Sequence, residues 1–457
     1  LSMSKEAQQQ AGLEPSKIEK EINALEKELS ESSELFAKNF EKKNPGWKDL
    51  KSKLKSNEYA VEMIRFRYFD KNFTDSVVYA ALIVSNKTEK APIVVKMPES
   101  KKMESKYLKY YKNVVINKLD GDDYSYDVFW KPIKANIPDN ATVYFSSEGV
   151  YNELNLESLQ AEDGSFVIDK NTIIPVSNSK DILSTQREEK ASKGALTASK
   201  VTLFGNPLFY STATNTKQGG KAEDRAIAKI NNNIYASASQ NVISQLPGTE
   251  IEVNEIDKLF QSKGWTITKY ISEAAEEDSI KQIRNPKILH IATHGYFNPD
   301  AGASEGDMSG TESEFASNPL LRSGLLMKGA GDVLKSNNSL KINSENGVLT
   351  AYEAMDLNLD NTDLVVLSAC ETGKGEVQIG EGVFGLQRAI LVSGAKTMVM
   401  TLFKVNDDIT KELMITFYKK WLETGELRTS FTDAKKIIKN KYKYPVYWGS
   451  FVMVGLE

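Results

Sequence analysis

One crossover unit constrains this chain more than any other stretch. Residues 360–408 read DNTDLVVLSACETGKGEVQIGEGVFGLQRAILVSGAKTMVMTLFKVNDD. Leu364–Leu367 is a short apolar, β-branched run, the pattern of a strand buried on both faces. After Ser368 and Ala369 the chain turns polar and Gly-rich, through Glu371-Thr372-Gly373-Lys374-Gly375. A helical pattern then opens near Gly382, with Val383, Leu386, Ile390 and Leu391 on one side, and a second apolar run covers Thr397–Phe403. Strand, loop, helix and strand make one parallel crossover. Cys370, the only cysteine in 457 residues, stands at the carboxyl end of the first strand. Open α/β sheets place their chemistry at that end.

The chain has two histidines, His290 and His294. Ile288–Ala292 repeats the buried-strand pattern and runs into Thr293-His294-Gly295. If the two strands are parallel neighbours, His294 and Cys370 emerge at the same edge of the sheet. A single Cys with a His elsewhere is a candidate nucleophile and base, set against the ordinary reading of a lone cysteine as a small buried hydrophobe. His290 lies inside the strand, where residues four apart are separated by about 13 Å. A two-histidine metal site is therefore not expected, and His290 reads as structural. Gly380-Glu381-Gly382 lacks the Lys-Ser/Thr signature and glycine spacing of a phosphate-binding loop. Asp407 and Asp408 close the second strand, where an acid suits the start of the following helix.

Composition narrows the functional classes. A formal net charge of −4 gives no reason to expect nucleic acid or an anionic membrane as partner. No apolar run approaches the length of a membrane span, and nothing at the start resembles a secretory signal. One cysteine excludes an intramolecular disulfide, and a lone thiol suits a reducing compartment, which predicts a cytoplasmic protein. The chain starts at Leu1, not Met, and is read as a fragment or a processed form. Two domains are expected at this length.

In order, residues 15–40 carry Ile18, Ile22, Leu25, Leu29, Phe36 and Phe40 as an apolar helical stripe. Strands are expected at Tyr59–Tyr68, Val77–Val84, Ala91–Val95 and Ala141–Ser146, with a basic helical region over residues 100–120. Residues 178–199 and 212–224 read as exposed loops. Val201–Pro207, Thr266–Ile271 and Ser450–Gly455 read as strands, the last near the edge of its sheet. Residues 246–263 read as a helix burying Ile251, Ile256 and Leu259, and Lys411–Trp421 and Asp433–Tyr442 as two further helices. Phe297–Gly347 is crowded with Gly, Ser, Asn, Asp and Glu, and is expected to be a poorly structured insertion.

THG after a buried strand, LVVLSACETGKG, GEGVFGLQRAILVSGAKTMVMTLFKVND and the closing YWGSFVMVGLE together resemble the CHAT domain. CHAT domains are caspase-like cysteine peptidases, with separase, clostripain and gingipain as distant relatives. The resemblance extends through LPGTEIEVNEIDKLF at 246–260 and LNLESL at 154–159, and so covers roughly the last two-thirds of the chain. It departs at Phe403, where Trp is usual, and at Asn406, one position before the matching Asp407.

The resemblance implies an α/β fold, a caspase-like α/β/α sandwich with a mostly parallel sheet. It implies an N-terminal helical linker (1–49), an inactive caspase-like lobe (50–195) and a catalytic lobe (196–457). Cys370 is implied as nucleophile, His294 as base, the N–H groups of Gly295 and Cys370 as oxyanion hole, and Asp407 as part of the pocket for the residue before the cut, with a basic preference. The expected function is a cysteine endopeptidase acting on protein substrates without cofactor or metal. A regulatory protein or an upstream tetratricopeptide-repeat (TPR) region would gate it. Two alternatives share the fold: a catalytically silent interaction module, and a different thiol-dependent acyl-transfer enzyme.

Overall fold

The structure, a computed structural model, describes residues 45–183, 198–210, 243–297, 319–335, 346–368, 376–378 and 382–456. The striped segment at 15–40 and Cys370 lie outside the described residues. Two sheets dominate. The first contains β1 (Glu58–Asp70), β2 (Asn72–Ser85), β3 (Ile93–Lys96), β4 (Thr142–Ser146) and β5 (Thr172–Val176), in the order β3-β2-β1-β4-β5. β1, β4 and β5 run parallel, while β2 and β3 add antiparallel strands at one side. Helix α1 (Trp47–Lys53) leads into β1, and α2 (Leu108–Ile116) lies between β3 and β4.

The second sheet has six strands: β6 (Lys200–Pro207), β7 (Thr266–Ser272), β8 (Ile288–Ala292), β12 (Leu364–Leu367), β15 (Thr397–Thr401) and β16 (Phe451–Gly455). Their order is β16-β15-β12-β8-β6-β7, and all run parallel except β16, which pairs antiparallel at the edge. Helix α3 (Pro247–Gln261), α4 (Leu386–Val392), α5 (Asp407–Thr424) and α6 (Leu427–Lys441) complete this half. Ile288, Leu364, Val366 and Val399 pack with Val253, Ile256, Leu413 and Phe417 on one face. Leu289, Val365, Leu367 and Met398 pack with Leu386 and Ile390 on the other. Both faces being covered explains why β8 and β12 read as continuous apolar runs. This is the expected α/β/α sandwich with a mostly parallel sheet.

The two sheets share a core. Val61, Tyr111 and Phe145 of the first half belong to the same apolar cluster as Leu289, Met400 and Phe403 of the second. Polar ties reinforce it: Asn155 Nδ2 donates to Gly449 O at 2.8 Å, and Lys439 pairs with Asp169 at 2.6 Å. Fully buried Lys435 pairs with Glu157 and donates to Phe451 O at 2.9 Å.

Three sequence expectations need correction. The helix expected from Gly382 begins at Leu386, because Gly382–Phe384 is β14, hairpin partner of β13 (Glu376–Gln378). Ile251 of α3 is exposed, because the buried face follows Val253, Ile256 and Phe260. The described parts of the expected loose insertion are regular. β9 (His294–Phe297), β10 (Ser323–Leu326) and β11 (Val348–Thr350) form a three-stranded antiparallel sheet, with a short helix at Ala330–Lys335. The apolar piece Ser323–Leu326 is the buried central strand of that sheet. Its remaining residues, 298–318 and 336–345, lie outside the described residues.

Candidate functional site

β8 and β12 are parallel neighbours, with Leu367 opposite Ile291. The N–H of Ser368 continues the ladder, donating to Ile291 O at 2.9 Å. Both strands therefore end at the same sheet edge, and Cys370 follows two residues after Ser368. The thiol itself lies outside the described residues.

On the β8 side the chain breaks at Thr293, whose hydroxyl donates to Leu326 O. It then changes sheets: His294 opens β9 opposite Leu326, and Gly295 stands opposite Leu325. His294 is thus held where the parallel and antiparallel sheets meet. Its half-buried ring packs on Phe209 at 5.4 Å between centroids. Nε2 lies 2.9 Å from Ser244 O. A carbonyl only accepts, so the neutral ring carries its proton on Nε2 and keeps a lone pair on Nδ1. Burial pushes the imidazole below the usual histidine range; the Ser244 carbonyl and Asp407 oppose that shift, and Lys404 adds to it. The ring is neutral at pH 7 and able to take a proton.

Asp407 is the first residue of α5, but it does not cap it. That role belongs to Asn406, whose side-chain oxygen accepts from Ile409 N–H at 3.2 Å. Asp407 is left to face α3: a Cβ placed on Gly248 would sit 3.3 Å from Asp407 Cβ. Desolvation pushes the Asp407 carboxyl up, as do the Glu252 and Asp408 charges, while His294 and Lys404 pull it down. Asp407 and His294 are thus within electrostatic reach of each other.

His290 is structural, as expected, and completely buried. Nδ1 lies 3.1 Å from Tyr418 Oη, and Nε2 lies 3.0 Å from Glu252 Oε1. The second contact is a close approach without good hydrogen-bond direction. Among the described residues no cluster of His, Cys, Asp or Glu could hold a metal ion. No described helix is long and apolar enough to cross a membrane.

Several participants were not singled out from the sequence. The Ser244 carbonyl leaves no sequence signal, since every residue has one. Gly248 and Phe209 depend on distant partners. Glu252 did leave a signal, because it falls on the same helix face as Thr249, Val253 and Ile256, where a carboxylate is out of place.

Residues 125–456, well over half of the chain, match the CHAT domain. Mouse (Mus musculus) tetratricopeptide repeat protein 28 is 26% identical over 193 residues, covering 41% of this chain and 8% of that protein. The human (Homo sapiens) tetratricopeptide repeat protein 28 is 28% identical over 112 residues, 24% of this chain and 4% of that protein. The chain thus spans less than a tenth of the length of these relatives. Among solved structures, the Saccharomyces cerevisiae separase–securin complex aligns with a TM-score of 0.42 at 9% identity, over 90% of this chain and 30% of that one. The Arg specific cysteine proteinase gingipain R aligns with a TM-score of 0.38 at 10% identity, over 78% and 74%.

Proposed function

The chain belongs to the CHAT domain family, and on that premise we propose that it is a cysteine endopeptidase working through Cys370 and His294. The observation that carries the reading is the adjacency of two parallel strand ends, one presenting a neutral His294 and the other leading into Cys370. In the proposed reaction His294 Nδ1 takes the Cys370 thiol proton as sulfur attacks the scissile carbonyl. The new C–S bond forms a tetrahedral oxyanion, received by the N–H groups of Gly295 and Cys370. Collapse breaks the C–N bond, and the imidazolium gives its proton to the leaving amine. Water, deprotonated by the same ring, then attacks the thioester and releases the acid and the thiol.

Asp407 is proposed to line the pocket for the residue before the cut. An acid at that edge, near His294 and released from helix capping, favours a basic side chain. Residues 196–457 form the catalytic lobe. Residues 50–195, which contain no His or Cys, form an inactive caspase-like companion. The TPR-protein relatives support gating by a protein partner or an upstream region, and the lone thiol supports a cytoplasmic setting.

The test is cleavage of a peptide and protein substrate panel by wild type, Cys370→Ala and His294→Ala. The reading requires activity in the wild type that both substitutions abolish without unfolding the protein. Equal turnover by folded Cys370→Ala protein would refute it.

A further inference from the structure

α3 runs past three of the groups described above in steps of four residues. The Ser244 carbonyl, just before the helix, meets His294; Gly248 meets Asp407; Glu252 meets His290. Gly248 and Glu252 lie on one helix face, where positions four apart are about 6 Å from each other. Asp407 rests on the Gly248 position, so the Glu252 carboxylate lies about one helical turn further into the protein.

Glu252 is unusual for a buried acid. It is 2% exposed, and among the described residues no Lys or Arg pairs with it; its neighbour able to carry a positive charge is His290, at 3.0 Å. Its Oε1 is enclosed and faces only the His290 ring, without a well-directed hydrogen bond. Its Oε2 is not among the enclosed atoms, and no described residue donates to it. Burying a carboxylate in this state is costly, and a cation brought to it would relieve that cost. We propose that Glu252 is a second specificity-determining acid of the Asp407 pocket, and that the two carboxylates together select arginine over lysine before the cut. The proposal rests on the peptidase reading above and deepens it.

The preference follows from geometry. Two carboxylates spaced about a helical turn apart along α3 present acceptors in separate directions. A guanidinium carries five N–H donors in a rigid planar fork, and can bond to both at once. An ammonium is a compact, strongly hydrated charge that must stay with one acid or forfeit its water. The Glu252 charge is also among the causes that push the Asp407 carboxyl up, after desolvation. A bound guanidinium relieves that repulsion. Gly248 has a part in this, since a side chain there would push Asp407 away from the helix.

The test compares paired peptides differing only in Arg or Lys before the cut, with wild type, Glu252→Gln and Gly248→Ala. Glu252→Gln should lower kcat/KM for Arg by about tenfold, the order expected for losing a hydrogen bond to a charged group, and for Lys by much less. Gly248→Ala, which keeps Glu252 and His290 intact, should reduce the Arg/Lys ratio in the same direction. A parallel titration with arginine amide and lysine amide, followed through the His294 ring resonance, reads the pocket without turnover. The Arg/Lys affinity ratio should exceed one in the wild type and fall in both variants. If both peptides lose activity by one common factor, or the affinity ratio is unchanged by Glu252→Gln, Glu252 is structural only and the proposal is overturned. If no peptide is cleaved but the affinity ratios behave as stated, the pocket stands and the peptidase reading fails alone.

Discussion

His294 Nε2 lies 2.9 Å from the main-chain carbonyl oxygen of Ser244, and this contact decides which ring nitrogen can act as base. The proton is committed to the carbonyl, so the lone pair belongs to Nδ1. No side chain is needed to orient the ring, which fits a dyad rather than a triad. His294→Gln should therefore lower kcat/KM by about a hundredfold or more, the usual contribution of a positioned acid–base group. Ser244→Ala should change little, because the carbonyl stays. Steady-state cleavage by the two variants checks both outcomes; a large loss in Ser244→Ala would show that its side chain, not its carbonyl, is at work.

Stability should respond to pH in two windows of opposite sign. His294 is held below its ordinary range in the folded protein. The unfolded chain binds that proton first as pH falls, so this contribution is present above about pH 6.5 and lost below it. Asp407 is held above its ordinary range. Between the ordinary and the raised value the folded state binds more protons, so stability falls as pH rises through that window. Asp407→Asn should therefore hold or raise stability at neutral pH while weakening cleavage after basic residues. Urea unfolding of wild type and variant at pH 5 and pH 7 reads the first effect, and kcat/KM the second.

Asn406 and Asp407 should separate cleanly. Asn406→Ala removes the cap of α5 and should cost about 1 kcal/mol, with substrate preference kept. Unfolding midpoints and a library varied before the cut distinguish the two residues. A changed preference in Asn406→Ala would mean that the cap and pocket roles are shared.

The two halves should unfold together. Their apolar cluster is continuous, and Lys435 is wholly buried between Glu157 and the backbone of β16. Lys435→Ala strands Glu157 at the junction and should destabilise by about 3 kcal/mol or more. Urea unfolding followed by tryptophan fluorescence and by circular dichroism should give coincident transitions in the wild type. Two separated transitions would contradict a shared core.

Much of this architecture was legible in the sequence where burial is symmetric. β8 and β12 follow the limits read from Ile288–Ala292 and Leu364–Leu367, because strands covered on both faces have no polar interruption. The antiparallel sheet around His294 was not legible. Ser323–Leu326 is short and lies among Gly, Ser and Asn, and its partners come from residues 294–297 and 348–350, so its pairing is wholly non-local. Asp407 follows β15 as its sequence position requires, but its freedom from capping depended on Asn406, one residue earlier. The contacts of Ser244, Gly248 and Glu252 follow from how α3 crosses the strand ends, a tertiary relationship that no local pattern encodes.

The central claim is that His294 activates Cys370. With one cysteine in the chain, its alkylation rate by iodoacetamide can be followed without ambiguity from pH 4 to pH 9. The account predicts alkylation well below the ordinary thiol pKa of about 8.5, because His294 takes the proton as sulfur attacks, with an acid limb set by His294 and abolished in His294→Ala. Superimposable profiles in the two proteins, both rising only near pH 8.5, would contradict it.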